Sequence, residues 1–502
     1  MVRNIRLCLA AICLPMASAV IPPAAFAGEN MQYPLNPASQ PLLVVRTDKP
    51  SRFQELWNTR LARTLELGEK DFSGRLPGVN VKVASLKNFL AALSENNAEK
   101  FWYCLVQSGS SIAGQTGAMG WTLAAQSSEE AESIFASLNM DASKRHVAFK
   151  TTPGKETRVA VTISRDTAAY DEILRQATRS NERWRATLDS FLAEDGDGVG
   201  LLINARPLFG LLSMAIGIDF RSELSRARFS FPESIHVELR NNRDDLGIVL
   251  QCPSLFPGDT LPPAPQPQTI LTTREAPLLA LHIAAPEQLC ALLRLDKLPV
   301  YLANINMQPL VPKTATLSLW LNERGELAWS LVGLMADGEK FSRQFRRVLE
   351  WLDVLDTAPS AKVRRTTTHS KSGEELVAVA HDAFSLVMGT AHAPDGGAFW
   401  IVAGSADDWP DAATFETRRE NEASLIAFAA RLAPEDRGII LSALAKRARQ
   451  MGVRLPDDPE LELLLPERDE GLLRIEGGSL RFESRHCLLP LLVPALAERL
   501  PF

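Results

Sequence analysis

The sequence predicts an α+β fold: two duplicated domains, each with a mainly antiparallel sheet covered on one face by helices. Three observations predict it. Segments alternating apolar and polar at period two are joined by short polar turns, as half-buried antiparallel strands require. Other segments place apolar residues three and four apart, as a helix lying on such a sheet requires. The two halves also repeat one pattern at a fixed offset. Hairpins mixed with helices, without regular strand-helix-strand alternation, favour this class over a doubly wound parallel sheet.

The hairpins come first. Pro232-Glu233 opens Ile235, Val237 and Leu239, a polar turn at 241–245, then Leu246, Ile248 and Leu250. Alternation places the apolar residues on one face and His236, Glu238 and Arg240 on the other. A like pattern runs through Leu317, Leu319 and Leu321, turns at 322–326, and returns through Leu327, Trp329 and Leu331. A third is expected from Leu461, Leu463 and Leu465 through a turn at 466–471 to Leu472, Leu473 and Ile475. A further hairpin is expected on either side of the glycine-rich tip at 108–120.

Helices supply the cover. Between 338 and 356, Phe341, Phe345, Val348, Leu352 and Leu355 form one apolar stripe, with Arg343, Arg346, Arg347 and Glu350 off it. Two more helices are expected at 166–193 and 435–451, the latter with Lys446, Arg447 and Arg449 near the negative end of its dipole and Gly452 as its stop.

Pro41-Leu42-Leu43 with Pro50, Phe53 and Leu56 matches Pro277-Leu278-Leu279 with Pro286, Leu289 and Leu292, every pair 236 residues apart. Both read as a buried strand followed by a helix opening at proline. Between the halves Pro253, Pro257, Pro262, Pro263, Pro265 and Pro267 predict a stiff, extended connector. The expected organisation is a signal peptide at 1–27, an extended segment at 28–40, a first α+β domain at 41–255, a linker at 256–275 and a second domain at 276–502.

Arg3 and Arg6, an apolar stretch at 7–20 and the small-residue box Ala25-Phe26-Ala27 have the order of a cleavable secretion signal, with cleavage after Ala27. The expected location is periplasmic or secreted. A net charge of −6 gives no electrostatic reason to bind nucleic acid, and no later segment has the length of a transmembrane helix. Cys104, Cys252, Cys290 and Cys487 remain after cleavage, without metal-ligand spacing and without a pairing that spacing can assign.

No motif specifies a chemistry. The densest reactive stretch is His381, Asp382, Ser385, His392 and Asp395, which could supply a base, an orienting acid and a nucleophile. No nucleophile-elbow sequence surrounds Ser385, and Val377, Val379 and His381 alternate as a strand does, so His381 is expected to end a strand and hydrogen-bond locally. Asp195 and Asp197 lie in an acidic, glycine-rich segment resembling the start of a calcium loop, but position 12 of that loop would be Arg206 rather than a glutamate. Neither the glycine-rich segment nor any other fits a phosphate-binding motif, and no cofactor is expected. The basic groups Arg343, Arg346, Arg347 and Lys362, Arg364, Arg365 could meet an acidic partner, but are expected to be solvated helix and strand faces, with acidic residues elsewhere outweighing them. The tryptophans fall mostly within apolar patterns and are expected in the core.

Three functional classes fit this chain. The leading expectation is a non-enzymatic binding or assembly protein of the bacterial cell envelope, holding an envelope protein or an apolar ligand. The alternatives are a hydrolase using the stretch from His381 to Asp395, and a periplasmic carrier of lipid or lipoprotein.

Overall fold

The structure, a computed structural model, describes mainly residues 41–60, 86–107, 115–124, 145–150, 158–164, 196–205, 232–253, 269–272, 277–287, 311–322, 325–335, 337–357, 363–381, 384–392, 398–410, 416–419, 424–450, 465–476 and 478–489. The expected signal peptide, most of the proline-rich connector and nearly all of the helix expected at 166–193 lie outside them. The described residues within 20–223 and 231–255 belong to one compact unit, and those from 256 onward to another.

The first unit contains β1 (Pro41–Thr47), α1 (Ser51–Trp57), α2 (Leu86–Glu95), β2 (Glu99–Gln107), β3 (Gln115–Ala124), β4 (Arg145–Lys150), β5 (Arg158–Ser164), β6 (Val199–Asn204), β7 (Ser234–Asn242) and β8 (Asp245–Cys252). Its strands pair in the order β4-β5-β3-β2-β1-β6-β7-β8, every pair antiparallel. β7 turns into β8 through Arg243 and Asp244, both at positive φ (51° and 72°), with the Asp244 amide donating to Asn241 Oδ1 at 3.0 Å. A two-residue turn with both central residues left-handed matches the twist of the flanking strands.

α2 forms because Phe89, Leu90 and Leu93 recur at helical spacing, and all three are buried. Phe89 meets Trp121 edge to face at 5.9 Å. Each such fully buried side chain contributes about 1.5–3 kcal/mol relative to exposure. α1 follows Pro50, and its Phe53 packs edge to face on Phe101 of β2 at 5.8 Å.

The second unit contains β9 (Thr269–Thr272), β10 (Leu279–Ile283), β11 (Thr314–Leu321), β12 (Leu327–Leu334), α3 (Gly338–Thr357), β13 (Val363–His369), β14 (Glu375–His381), β15 (Phe384–His392), β16 (Ala398–Ala403), β17 (Glu416–Arg419), β18 (Ile426–Arg431), α4 (Pro434–Gln450), β19 (Arg468–Glu476) and β20 (Ser479–Ser484). The order is β13-β14-β15-β16-β12-β11-β10-β18-β19-β20, again antiparallel throughout. β9 and β17 pair separately, so the segment expected as a linker contributes a strand.

Among the described residues, with β10 laid on β1, the second order is the first with the hairpin β13–β14 added beyond β15. Leu43 lies between Leu105 and Ile203, and Leu279 between Leu319 and Ala430, so the offset of 236 places the two leucines at equivalent positions.

The α+β expectation is corrected. The described residues are mostly antiparallel sheet with four α-helices, rather than sheets each covered on one face by helices. Two physical reasons account for the difference. Among the described residues, the stretch from 363 to 403 carries four strands in succession without a helix between them. Both faces of the central strands are also buried: in the second unit Val332, Ile401 and Ala403 on one face, and Leu319, Val402 and Phe428 on the other. The expectation of sheets covered on one face therefore fails at the central strands, whose second face is buried as well.

The last hairpin is displaced from its expected place. Arg468, Asp469 and Glu470, expected in a turn, lie inside β19, and the reversal comes at Gly478 with φ +84°. Gly477-Gly478 is the turn signal, since glycine adopts left-handed φ without steric cost. Leu461 and Leu463 lie outside the described residues.

Candidate functional site

The sequence-predicted reactive residues do not converge. His381 ends β14 and is paired with Phe384 at the start of β15, whereas His392 ends β15. At about 3.3 Å per residue, eight residues along β15 set the backbones of these two histidines roughly 26 Å apart. Ser385 is exposed beside Ala380, one register position from the His381–Phe384 pair and so on the opposite face of the sheet from His381. Asp382 and Asp395 lie outside the described residues.

The acidic segment before β6 has a structural account. The Gly196 amide donates to Asp48 Oδ2 at 2.9 Å, and Thr47 Oγ1 donates to the Gly198 carbonyl at 3.3 Å. A Cβ on Gly198 would stand 2.2 Å from the Leu239 carbonyl oxygen, so only glycine allows this close approach. Asp197 is exposed, Asp195 lies outside the described residues, and among the described residues no group of three potential metal ligands occurs.

Polar side chains do gather where β1, β6 and β7 run side by side. Arg46 pairs with Gly200, and Gly200 with Glu238, so the three share one face. The guanidinium of Arg46 lies 4.8 Å from the ring centre of Phe191, and a Cβ on Gly200 would come within 3.1 Å of the Arg46 side chain. Glycine thus opens the lane in which Arg46 lies, and Phe191 covers it by a cation–π contact. Arg240 grips Glu238 with two hydrogen bonds, Nε to Oε1 at 3.0 Å and Nη2 to Oε2 at 2.8 Å. Asp48 is further paired with Lys100 Nζ at 3.0 Å.

His236, also on this face, bonds Ser234 Oγ through Nε2 at 3.3 Å and meets Phe191 edge on at 5.9 Å. Burial, and secondarily the positive charge of Arg46, lower its pKa to about 4. It is neutral at pH 7. Glu238 is held by Arg240 and Asp48 by Lys100, which makes the cluster a fixed polar seam of the sheet.

The residue at the offset of 236 from Arg46 is His282, equally buried in the central strand β10. Its Nδ1 lies 3.2 Å from Thr316 Oγ1, and burial lowers its pKa to about 4. Among the described residues His282 Nε2, Thr314 Oγ1 and Ser330 Oγ are buried without a hydrogen-bond partner. Such atoms cost roughly 1–3 kcal/mol each unless water reaches them. Cys252 is a buried free thiol whose pKa is raised to about 12 by burial, which makes it unreactive. Cys487 is buried as well.

The edge strand of the second unit is accessible. Among the described residues β13 pairs with β14 alone, and Arg364, Thr366, Thr367 and His369 are exposed. Its register with β14 is continuous over seven pairs, without a bulge. α3 crosses one face from β16, where Phe341 packs against Trp400, to β13, where Arg365 donates to the Leu349 carbonyl and pairs with Asp353. On the outer side of α3, Arg343, Arg346 and Arg347 are exposed.

Sequence reasoning marked His236, Glu238, Arg240 and the basic groups, but missed Arg46, Phe191 and His282. The available signals were Gly200 inside an apolar strand and the offset of 236, which links Arg46 to His282. Compared with protein-family models, curated proteins and solved structures, the chain matches none of them. Among the described residues no helix is long and apolar enough to cross a membrane.

Proposed function

We propose that this chain is an exported, non-enzymatic binding or assembly protein of the bacterial cell envelope, whose two units arose by internal duplication. One observation carries the binding reading: the second unit departs from the strand order of the first by an added hairpin, β13–β14, and the outer strand of that addition is exposed. In a pair of repeats, what one copy adds beyond the common order is where a separate task is placed. The exposed strand presents backbone groups and mostly polar side chains, the chemistry of docking rather than of bond cleavage. The polar seam around Arg46 supports the same reading, because its carboxylates Glu238 and Asp48 are already held by Arg240 and Lys100. Export rests on the order of Arg3, Arg6, the apolar stretch and Ala25-Phe26-Ala27.

The test is expression of the full chain in its producing bacterium, followed by fractionation, N-terminal analysis and cross-linking in the envelope. The expected result is material beginning at Gly28 in the envelope or medium, together with a partner that binds saturably when both proteins are purified. Material retaining Met1 in the cytoplasm would overturn the export. Hydrolysis in an esterase, peptidase and glycosidase screen, abolished by His381→Ala, would overturn the binding reading in favour of an enzyme.

A further inference from the structure

We infer that the open edge of β13 docks an extended, acidic segment of a partner protein, adding it to the sheet as a further strand. The inference rests on the binding reading above and names its surface and partner class.

An antiparallel strand paired on one side turns every second N–H and C=O outward, so a seven-residue edge leaves about three residues' worth of backbone groups facing away from β14. Natural edges are commonly closed by a proline, a bulge or a covering element. Val363–His369 has no proline, its register is unbroken, and the run Thr366-Thr367-Thr368 suits the pleated conformation that an incoming strand would extend. The backbone of another extended chain is the ligand that matches such a row of alternating donors and acceptors.

Charge selects which chain. The segment 361–373 carries Lys362, Arg364, Arg365 and Lys371 and not one carboxylate, in a protein whose net charge is −6. Among the described residues Arg364 has no ionic partner, while Arg365 is taken by Asp353 and Lys371 is held loosely by Asp407 at 3.7 Å. Arg343, Arg346 and Arg347, exposed on α3, add positive charge beside the strand. Asp337, Glu339, Glu350, Asp353, Glu375 and Asp407 are exposed acids nearby and offset the cations of α3, so the positive excess is that of the edge segment itself. Like charge on two facing strands is destabilising, so the same cations disfavour pairing of β13 with a second copy of itself. An acidic strand meets the opposite condition.

The test uses the full chain and labelled peptides of about ten residues alternating Val with Glu, Val with Lys, or Val with Ser, the length an edge of this size can pair. Fluorescence anisotropy measures binding, and hydrogen exchange reports on β13. The acidic peptide is expected to bind at least about tenfold more tightly than the neutral one, to weaken as salt rises, and to slow exchange in β13. Arg364→Glu is expected to reduce its affinity about tenfold. Thr366→Pro and Thr367→Pro are compared because one of the two N–H groups faces outward. Whichever variant keeps the wild-type unfolding curve is expected to lose binding.

Equal binding of acidic and basic peptides, no slowing in β13, or binding that survives the well-folded proline variant would overturn the inference. So would a DNA oligonucleotide that displaces the acidic peptide, which would mark the patch as a general polyanion site. Concentration-dependent dimerisation abolished by the proline variant would assign the edge to a second copy and overturn it as well. Failure here beside a partner bound normally by the proline variant leaves the binding reading standing, whereas hydrolytic activity lost in His381→Ala removes that reading whatever β13 does.

Discussion

Replacing Asp469 should unfold the second unit more readily than any comparable change on its surface. Asp469 lies in β19 with 2% of its surface exposed. Its Oδ2 accepts from Ser484 Oγ at 2.7 Å and from the amides of Leu488 and Leu489 at 2.9 Å each, and its Oδ1 accepts from the His486 amide at 2.8 Å. One carboxylate therefore ties the end of β20 and the helical turn after it to β19, satisfying the otherwise orphaned amides at a helix start.

Hydrogen bonds to a charged group contribute about 1.5–3 kcal/mol each, so four would sum to about 6–12 kcal/mol if nothing relaxed. Water entry and the relief of carboxylate desolvation reduce this, and about 3–5 kcal/mol is expected for Asp469→Ala. Asp469→Asn keeps the shape and one acceptor oxygen but turns an amide donor toward the donors that remain, and should cost about 1.5–3 kcal/mol. Urea unfolding followed by hydrogen exchange in peptides covering 465–489 assigns the change to this unit rather than to the whole chain. A loss below about 1 kcal/mol for the alanine variant would refute the reasoning, since three of the four donors are buried with the carboxylate as their acceptor.

Other outcomes follow from the same geometry. His236 and His282 are held neutral, each with a folded pKa of about 4 against 6.5 unfolded. The unfolded chain then binds more protons between these values, so the stability the two groups contribute is present above pH 6.5 and is lost as pH falls toward 4. The upper figure is about 3 kcal/mol for each histidine, and His282→Gln should reduce the pH slope of unfolding by about one proton. A Cβ on Gly471 would lie 1.9 Å from the Glu483 carbonyl oxygen and 2.6 Å from the Phe428 ring, so Gly471→Ala should lower stability by about 2–4 kcal/mol in thermal or urea unfolding. Cys252, buried and with its pKa near 12, should react with iodoacetamide in the folded protein only as fast as the first unit opens, and much faster in denaturant.

The strands around 235–250 and 317–331 were legible because alternation and polar turns coincide there. Glycine at Gly325, with φ +70°, sits where the second of these turns was expected. The helix at 338–357 was legible for a similar reason: Phe341, Phe345 and Val348 repeat at helical spacing, and Phe341 is buried against Trp400. The alternation of Val377, Val379 and His381 disclosed β14, which ends at His381, but not that it is one of four strands in succession, β13 to β16. His381 and His392 are eleven residues apart along the chain yet occupy strand ends that pairing sets far apart, which the pattern of one strand alone cannot disclose. Arg46 escaped notice because a cation in an apolar strand signals nothing until Gly200, Phe191 and Glu238 are seen beside it. The edge position of β13 is a property of strand order, which is settled by long-range pairing rather than by local sequence.

Segment-resolved hydrogen exchange on the intact chain tests the strand order and the open edge together. β1, β2 and β6 in the first unit and β10, β11 and β18 in the second should exchange slowest, while alternate amides of β13 exchange rapidly until an acidic peptide is added. A β13 protected as strongly as β10 in the protein alone, or a β1 that exchanges as fast as its unit's outer strand β4, would contradict the account.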